Sequence, residues 1–373
     1  MPKMTAAGNA VITGHVRIAS LSPSRPENGS KRRGRVTAVM ATLLLVAGVA
    51  GCTTNSGSSS SASSSSSSTA ASSTVASGKQ LHFIAVMEGP TSSPYWSLMD
   101  KGFQTASRDL GVITTYTGVP ADDSAPLAER QLILAALAQH PDGIMADDDQ
   151  SAAFNPAIKQ ATAAGIPVLL MDVGSTYVTS DNALGFVGPN DTAEATIGGQ
   201  RLTALGCKNV LEVTLLPGVA TFSDDRAAGF AAGFKGTIVK TQIPISDIDN
   251  ASAIEGIVKA DLLKNPSIDC TFSVGQLFTV PMVAAKQALG SRGSSITSGA
   301  IDVDAQILEE IQAGSLSFTV DSQPFSEGYL AVVALTNYLR YGQQPPQNVG
   351  TGPAVIDSSN VKAMIQLDKQ DVQ

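Results

Sequence analysis

The stretch NPAIKQATAAGIPVLLMD, residues 155–172, decides the fold. Asn155–Ala164 reads as a helix, and Pro167–Asp172 as a short apolar strand that ends on a charge. The same alternation runs outward in both directions. Upstream lie a strand at Leu81–Met87, a helix at Tyr95–Leu110, a strand at Val112–Tyr116, a helix at Leu127–Gln139 and a strand at Gly143–Ala146. Downstream, a strand at Ala183–Val187 closes the first series. A second series follows: helices at Ala193–Leu205, Arg226–Lys235, Ser252–Lys264, Val280–Leu289 and Ala305–Ala313 alternate with strands at Val210–Leu215, Val239–Ile245, Cys270–Val274, Ile296–Ile301 and Leu316–Val320. Strands alternating with helices imply parallel sheets covered on both faces. Two series imply two doubly wound α/β domains.

The first eighty residues read differently. Lys31, Arg32, Arg33 and Arg35 precede an uncharged apolar run from Val36 to Val49. This run is too short for a bilayer core, which takes about 20 residues. A basic flank, a short apolar core and small residues describe a signal peptide. Val49-Ala50-Gly51-Cys52 looks like a bacterial lipobox, in which Cys52 is lipidated; an ordinary secretory signal is the alternative. The 30 residues before the basic cluster exceed what a signal needs, as an early start codon would produce. Residues 53–79 are mostly Ser, Thr, Ala and Gly, with too little apolar surface to offset ordering entropy, so they read as a flexible tether.

The chain has 373 residues and a net charge of −8. Residues 1–52 carry seven Lys or Arg and one Glu, so the remainder carries −14. That balance argues against nucleic acid as a partner. With Cys52 lipidated, Cys207 and Cys270 remain: a disulfide in an exported protein, or two buried thiols. In a 2-1-3 strand order both lie at one edge of neighbouring strands.

Ligands of open parallel sheets bind beyond the carboxyl ends of the strands. The segments there are Glu88–Trp96, Asp147–Asp149, Asp172–Ser175, Leu216–Arg226, Gly275–Phe278, Asp302–Asp304 and Asp321–Gln323. They are acidic and include Tyr95, Trp96, Phe222 and Phe278. Carboxylates accept hydrogen bonds from paired hydroxyls and aromatic faces pack on C–H surfaces, which suits a sugar or polyol.

The chain resembles the type I periplasmic binding proteins of the ribose-binding group over roughly Leu81 to Asp357. The resemblance rests on Ser93-Pro94-Tyr95-Trp96, Pro141-Asp142-Gly143-Ile144, Ala164–Val168 with Asp172, Arg226-Ala227-Ala228-Gly229-Phe230, Ala300-Ile301-Asp302, and Thr319–Pro324 with Gly328-Tyr329. It departs where the family has Arg and this chain has Val173, and where Asn-Asp is replaced by Gly275-Gln276; the hinge Gln is displaced to Gln323. The resemblance implies a solute-binding component of an ABC importer, expected to work as a monomer with a membrane permease, and does not name the solute; a lipidated Cys52 would anchor it to the outer face of the cell membrane. It implies a three-segment hinge near Gly188–Asn190, Asp321–Gln323 and Gln344–Val349. Domain one is then 80–189 plus 323–345, and domain two 190–322 plus 346–373.

Ligand-binding candidates are Tyr95, Trp96, Asp147, Asp148, Asp172, Phe222, Arg226, Gln276, Asp302, Asp321 and Gln323. Each has a structural alternative: core packing for Tyr95 and Trp96, helix capping for Asp172, an ion pair with Asp224 or Asp225 for Arg226. Asp147-Asp148-Asp149 could grip hydroxyls, hold a cation or lie in solvent, but calcium loops space more ligands differently. No metal and no cofactor is expected. His82 and His140 open strands away from the binding edge, and no catalytic nucleophile, zinc or phosphate-loop motif occurs. Three other readings remain: a carbohydrate-active enzyme using paired carboxylates, a LacI-type repressor, whose DNA-binding region the signal and tether displace, and a binding protein reporting to a membrane sensor.

Overall fold

The computed structural model describes residues 79–120, 126–149 and 151–369. Cys52, the apolar run before it and the Ser-rich segment through residue 78 lie outside the described residues. The chain enters with β1 (His82–Met87), α1 (Pro94–Leu110), β2 (Ile113–Gly118), α2 (Pro126–Ala138), β3 (Gly143–Ala146), α3 (Ser151–Ala163), β4 (Val168–Met171) and β5 (Phe186–Gly188). It continues with α4 (Asp191–Ala204), β6 (Asn209–Leu215), α5 (Thr221–Gly233), β7 (Thr237–Ile243), α6 (Ala251–Lys264), β8 (Cys270–Ser273), α7 (Gln276–Gln287), α8 (Ser291–Ser294), β9 (Thr297–Ile301), α9 (Ala305–Ala313) and β10 (Phe318–Asp321). It ends with α10 (Pro324–Tyr341), β11 (Asn348–Gly350), β12 (Ala354–Asp357) and α11 (Val361–Asp368).

Two six-stranded sheets result. One has the order β2-β1-β3-β4-β5-β11 and is parallel throughout; the other, β7-β6-β8-β9-β10-β12, is parallel except where β12 runs against β10. Successive strand residues point to opposite faces, and here both faces are apolar. From β1, Phe83, Ala85 and Met87 pack with Met99 and Phe103 of α1, while Ile84 and Val86 pack with Ile133 of α2 and Phe154 and Ile158 of α3. This double burial is why the strands read as continuous apolar runs.

The chain passes between lobes after Gly188, after Asp321 and after Gly350. The last crossing differs from the expected 344–349. Asn348–Gly350 pairs with Phe186–Gly188 and completes the first sheet, so residues 346–350 stay with domain one. The reason is the open edge of β5, whose backbone groups would otherwise lack partners. Helices α5 and α7 begin at Thr221 and Gln276, earlier than Arg226 and Val280. Apolar spacing marks the face of a helix turned to its core, and these first turns face a cavity instead.

Each lobe has one close helix pair set by glycine. A Cβ built on Gly102 of α1 would lie 2.1 Å from the Phe325 carbonyl of α10, and one on Gly328 of α10 would lie 2.2 Å from the Met99 carbonyl. In the second lobe, Gly229 and Gly233 of α5 meet the Thr192 and Thr196 carbonyls of α4 at 2.2 and 2.1 Å in the same sense. Thus the helix that follows a lobe crossing lies tight against the helix after that lobe's first strand, whose first turn lines the cavity through Tyr95 and Trp96 in one lobe and Phe222 in the other.

A Cys207–Cys270 disulfide, Cα atoms 5.9 Å apart, ties the approach to β6 to the start of β8. With the two cysteines 63 positions apart, chain entropy gives about 4 kcal/mol for a loop of that size. Cys207→Ala with Cys270→Ala should lower the urea-unfolding free energy by about that amount. An unchanged midpoint would mean that β6–β8 pairing alone holds this edge.

Candidate ligand-binding site

Both lobes turn the carboxyl ends of their strands toward one cavity of about 370 Å³, within the roughly 300–1,000 Å³ usual for small-ligand sites. The first lobe lines it with Glu88, Ser93, Tyr95 and Trp96 after β1, Val119 after β2, Glu129 of α2, Asp149 and Phe154 around the start of α3, and Asp172 and Val173 after β4. The second contributes Leu215, Val219, Ala220, Phe222 and Arg226 around β6 and α5, Ile245 and Ile248 after β7, Gly275–Phe278 after β8, and Asp302 after β9. Most of the wall is apolar, with the polar groups concentrated in clusters.

Two of these clusters are built from equivalent positions in the two lobes. Asp172 follows β4 and Asp302 follows β9, the fourth strand of each lobe's series. Both adopt left-handed backbone, φ 63° and φ 70°, a conformation costly for a side chain other than glycine. Glu327 is the fourth residue of α10 and Glu194 the fourth of α4, the two re-entering helices. In the first lobe the Tyr95 hydroxyl donates to Asp172 Oδ1 at 2.5 Å and lies 3.2 Å from Glu327 Oε1. In the second, Arg226 Nη1 donates to Asp302 Oδ2 at 2.8 Å and to the Val274 carbonyl at 2.9 Å, and Nε donates to Asp191 Oδ1 at 2.7 Å. Arg226 Nη2 lies 3.8 Å from Glu194 Oε2, and its guanidinium sits 5.4 Å from the Phe222 ring centre.

Charge is unevenly matched. Burial alone would lower the Arg226 pKa, but Asp302, Asp191 and Glu194 raise it well above the usual value. Asp172 is pushed up to about 7 by burial, against the Tyr95 hydrogen bond. Glu129 is pushed up to about 8 by burial, against a hydrogen bond with Asp147 and with Glu88, Asp149 and Asp148 adding repulsion. Asp149 is pushed up to about 6 by burial, partly offset by backbone donors across the cavity. Those donors are Thr221 N at 2.6 Å and Phe222 N at 3.3 Å, at the start of α5, where a helix favours a carboxylate. The Thr221 hydroxyl also donates to the Asp149 carbonyl. These bonds join the lobes across the cavity.

Of the residues singled out in the sequence, Tyr95, Trp96, Asp172, Phe222, Arg226, Gln276 and Asp302 line the cavity. Asp147, Asp148, Asp321 and Gln323 do not. Asp147 turns beneath the surface and accepts from Glu88 N at 2.8 Å, and Asp148 is buried beside Asp181. Asp321 accepts from Gln323 N, and Gln323 Oε1 accepts from Gly352 N at 3.0 Å, which ties two of the lobe crossings together. The ion-pair alternative for Arg226 is realised through Asp191, Asp302 and Glu194 instead of Asp224 or Asp225. Glu129 and Glu194 escaped the reading of strand ends because they sit in helices. Their signal was a carboxylate on a buried stripe: Glu129 with Ile133 and Ala136, Glu194 with Gly198 and Leu202.

Residues 84–344 match the family model described as a periplasmic binding protein domain. The chain is 26% identical over 303 residues to a xylose/arabinose-binding protein of Sulfolobus acidocaldarius, covering 75% of this chain and 72% of that one. It is 26% identical over 273 residues to a ribose import binding protein of Bacillus subtilis, covering 70% and 84%. Among solved structures, a carbohydrate transporter from Acidothermus cellulolyticus in complex with myo-inositol superposes with a TM-score of 0.71 at 28% identity, over 79% of this chain and 100% of that one. A solute-binding protein of Actinobacillus succinogenes with bound D-allose shares the fold at a TM-score of 0.68 and 20% identity, over 76% and 100%. Two parallel-dominated lobes, three crossings and a cavity at the strand ends agree with that match over most of the folded chain: the protein belongs to the periplasmic binding protein family.

Proposed function

We propose that this protein is the extracytoplasmic solute-capturing component of an ABC importer and holds a small polyhydroxylated ligand, a sugar or polyol, between its lobes. The observation that carries the reading is the pairing of Asp172 and Asp302, one from each lobe, in a cavity with five aromatic side chains: Tyr95, Trp96, Phe154, Phe222 and Phe278. Carboxylates from both lobes accept from hydroxyls, and rings cover the C–H faces. The relatives named for xylose, arabinose and ribose, and the myo-inositol complex, support the same ligand class. In this reading Cys52 is lipidated, the chain works as a monomer on the outer face of the membrane, and it delivers its ligand to a permease. Binding, not turnover, is its task.

Trp96 is the sole tryptophan and lines the cavity, so its emission reports this site. Titration with myo-inositol, D-allose, D-tagatose, D-xylose and D-ribose should change that emission for at least one of them, with the Kd that calorimetry gives. Trp96→Ala should weaken that ligand by about 1–3 kcal/mol through lost burial and ring contact. Emission indifferent to a ligand that calorimetry detects would move the site elsewhere.

A further inference from the structure

We infer that the ligand is a sugar or cyclitol carrying an apolar substituent, with its hydroxylated ring toward the lobe crossings and its substituent at the opposite, aliphatic end of the cavity. The inference rests on the reading that this cavity holds the solute, and it narrows the ligand class. The chain crosses between lobes after Gly188 of β5, Asp321 of β10 and Gly350 of β11. In the sheet orders β2-β1-β3-β4-β5-β11 and β7-β6-β8-β9-β10-β12, those strands stand toward one edge, and β2 and β7 form the other. Asp172 and Asp302 follow β4 and β9, each next to a strand that carries a crossing. At the far edge the cavity wall changes character. Val119 follows β2, Leu215 ends β6, Ala220 leads into α5, and Ile245 and Ile248 follow β7; all five line the cavity.

These five side chains offer a hydroxyl neither donor nor acceptor. A hydroxyl seated against them gives up water without a new partner, which weakens binding by about fivefold or more. The carboxylates and the amide lining the rest of the wall are engaged within the protein. Asp149 accepts from Thr221 N and Phe222 N, Glu129 shares a hydrogen bond with Asp147, Gln276 one with Asp304, and Glu88 also has a partner. A methyl or short alkyl group gains where the hydroxyl loses, by about fourfold in affinity for each CH2 carried out of water. Leu215, Ala220 and Ile248 also belong to the second lobe's core. Their place in the cavity, together with Val119 of the other lobe, is what makes them a surface for the ligand.

Calorimetry on the purified full chain tests this with matched pairs: L-rhamnose against L-mannose, D-fucose against D-galactose, isopropyl β-D-galactopyranoside against D-galactose, and 5-O-methyl-myo-inositol against myo-inositol. In at least one pair the substituted member should bind about tenfold tighter or more, with the more negative binding heat capacity that apolar burial requires. Ile245 is half-buried, and Ile245→Thr should cut that preference by about threefold or more. The wild-type ratio and heat capacity need no variant, so a misfolded substitution does not spoil the test. Parents that bind as well or better in every pair would overturn the substituent and leave the sugar reading intact. A preference unchanged in a folded Ile245→Thr would put the substituent elsewhere and overturn the inference too. Binding by no member of any pair would remove it together with the reading beneath it.

Discussion

Replacing Arg226 by Met is expected to lower the unfolding free energy by about 3–5 kcal/mol and to reduce ligand binding by two orders of magnitude or more. The size follows from what the guanidinium leaves behind. Asp191, Asp302 and Glu194 converge on it from α4 and the end of β9, Asp302 and Glu194 buried and Asp191 partly so. Burial raises the pKa of Asp191 and Glu194 even with Arg226 present. Without it the three carboxylates must be desolvated unpaired or take up protons. The stability loss should therefore shrink as pH falls toward 5, where protonation relieves it. Arg226→Lys keeps a charge but cannot reach Asp191, Asp302 and the Val274 carbonyl from one planar group, so it should recover only part of the stability. Urea denaturation at pH 5 and 8 reads this directly. Lost binding with unchanged stability at both pH values would mean that Arg226 does not hold these acids in place.

The fold was legible because both series of strands are buried on two faces. Such strands announce themselves as short apolar runs, and the charges that end them, Asp172 and Asp302, mark the functional edge. Three things were hidden. The backbone sign at those two aspartates is invisible to spacing: φ is left-handed at both, and nothing in the residue type requires it. The first turns of α5 and α7 break the helical pattern because Phe222 and Gln276 face a cavity, so a reading based on apolar period started both helices too late. The third crossing was misplaced because β11 is only Asn348–Gly350, three residues without an apolar run.

The equivalence between the lobes explains why each lobe brings a strand-end carboxylate to the cavity. Strand-end Asp and re-entering-helix Glu recur as Asp172 with Glu327 and as Asp302 with Glu194. The lobes differ in what joins each pair: the neutral hydroxyl of Tyr95 in one, the cation of Arg226 in the other. Only the second pair faces a cation, which it shares with Asp191. The first lobe, which also holds Glu88, Glu129, Asp147, Asp148 and Asp149, keeps its excess of acid.

The same excess predicts how ligand-free stability depends on pH. Folding raises Glu129 to about 8, Asp148 to about 9 and Asp172 to about 7, in each case first through burial. A carboxyl raised in the folded state keeps a proton that the unfolded chain releases near pH 4 to 4.5. Its contribution is fully present below that range and is lost as pH rises toward the folded value. Asp142 and Asp357 act oppositely: Asp142 is held down by Lys79 and the His82 amide against burial, and Asp357 by Ser359 and Arg201. They cost stability only below about pH 4, since paired carboxylates must protonate there. The protein freed of ligand should therefore be most stable near pH 5 and lose stability steadily toward pH 9. Thermal and urea unfolding across pH 4.5 to 9 measures the slope. Glu129→Gln mimics the protonated carboxyl, so it should match wild type near pH 5 and fall less steeply above pH 6. Stability that rises from pH 5 to 8 in the wild type would require these acids to be ionised and compensated before any ligand arrives.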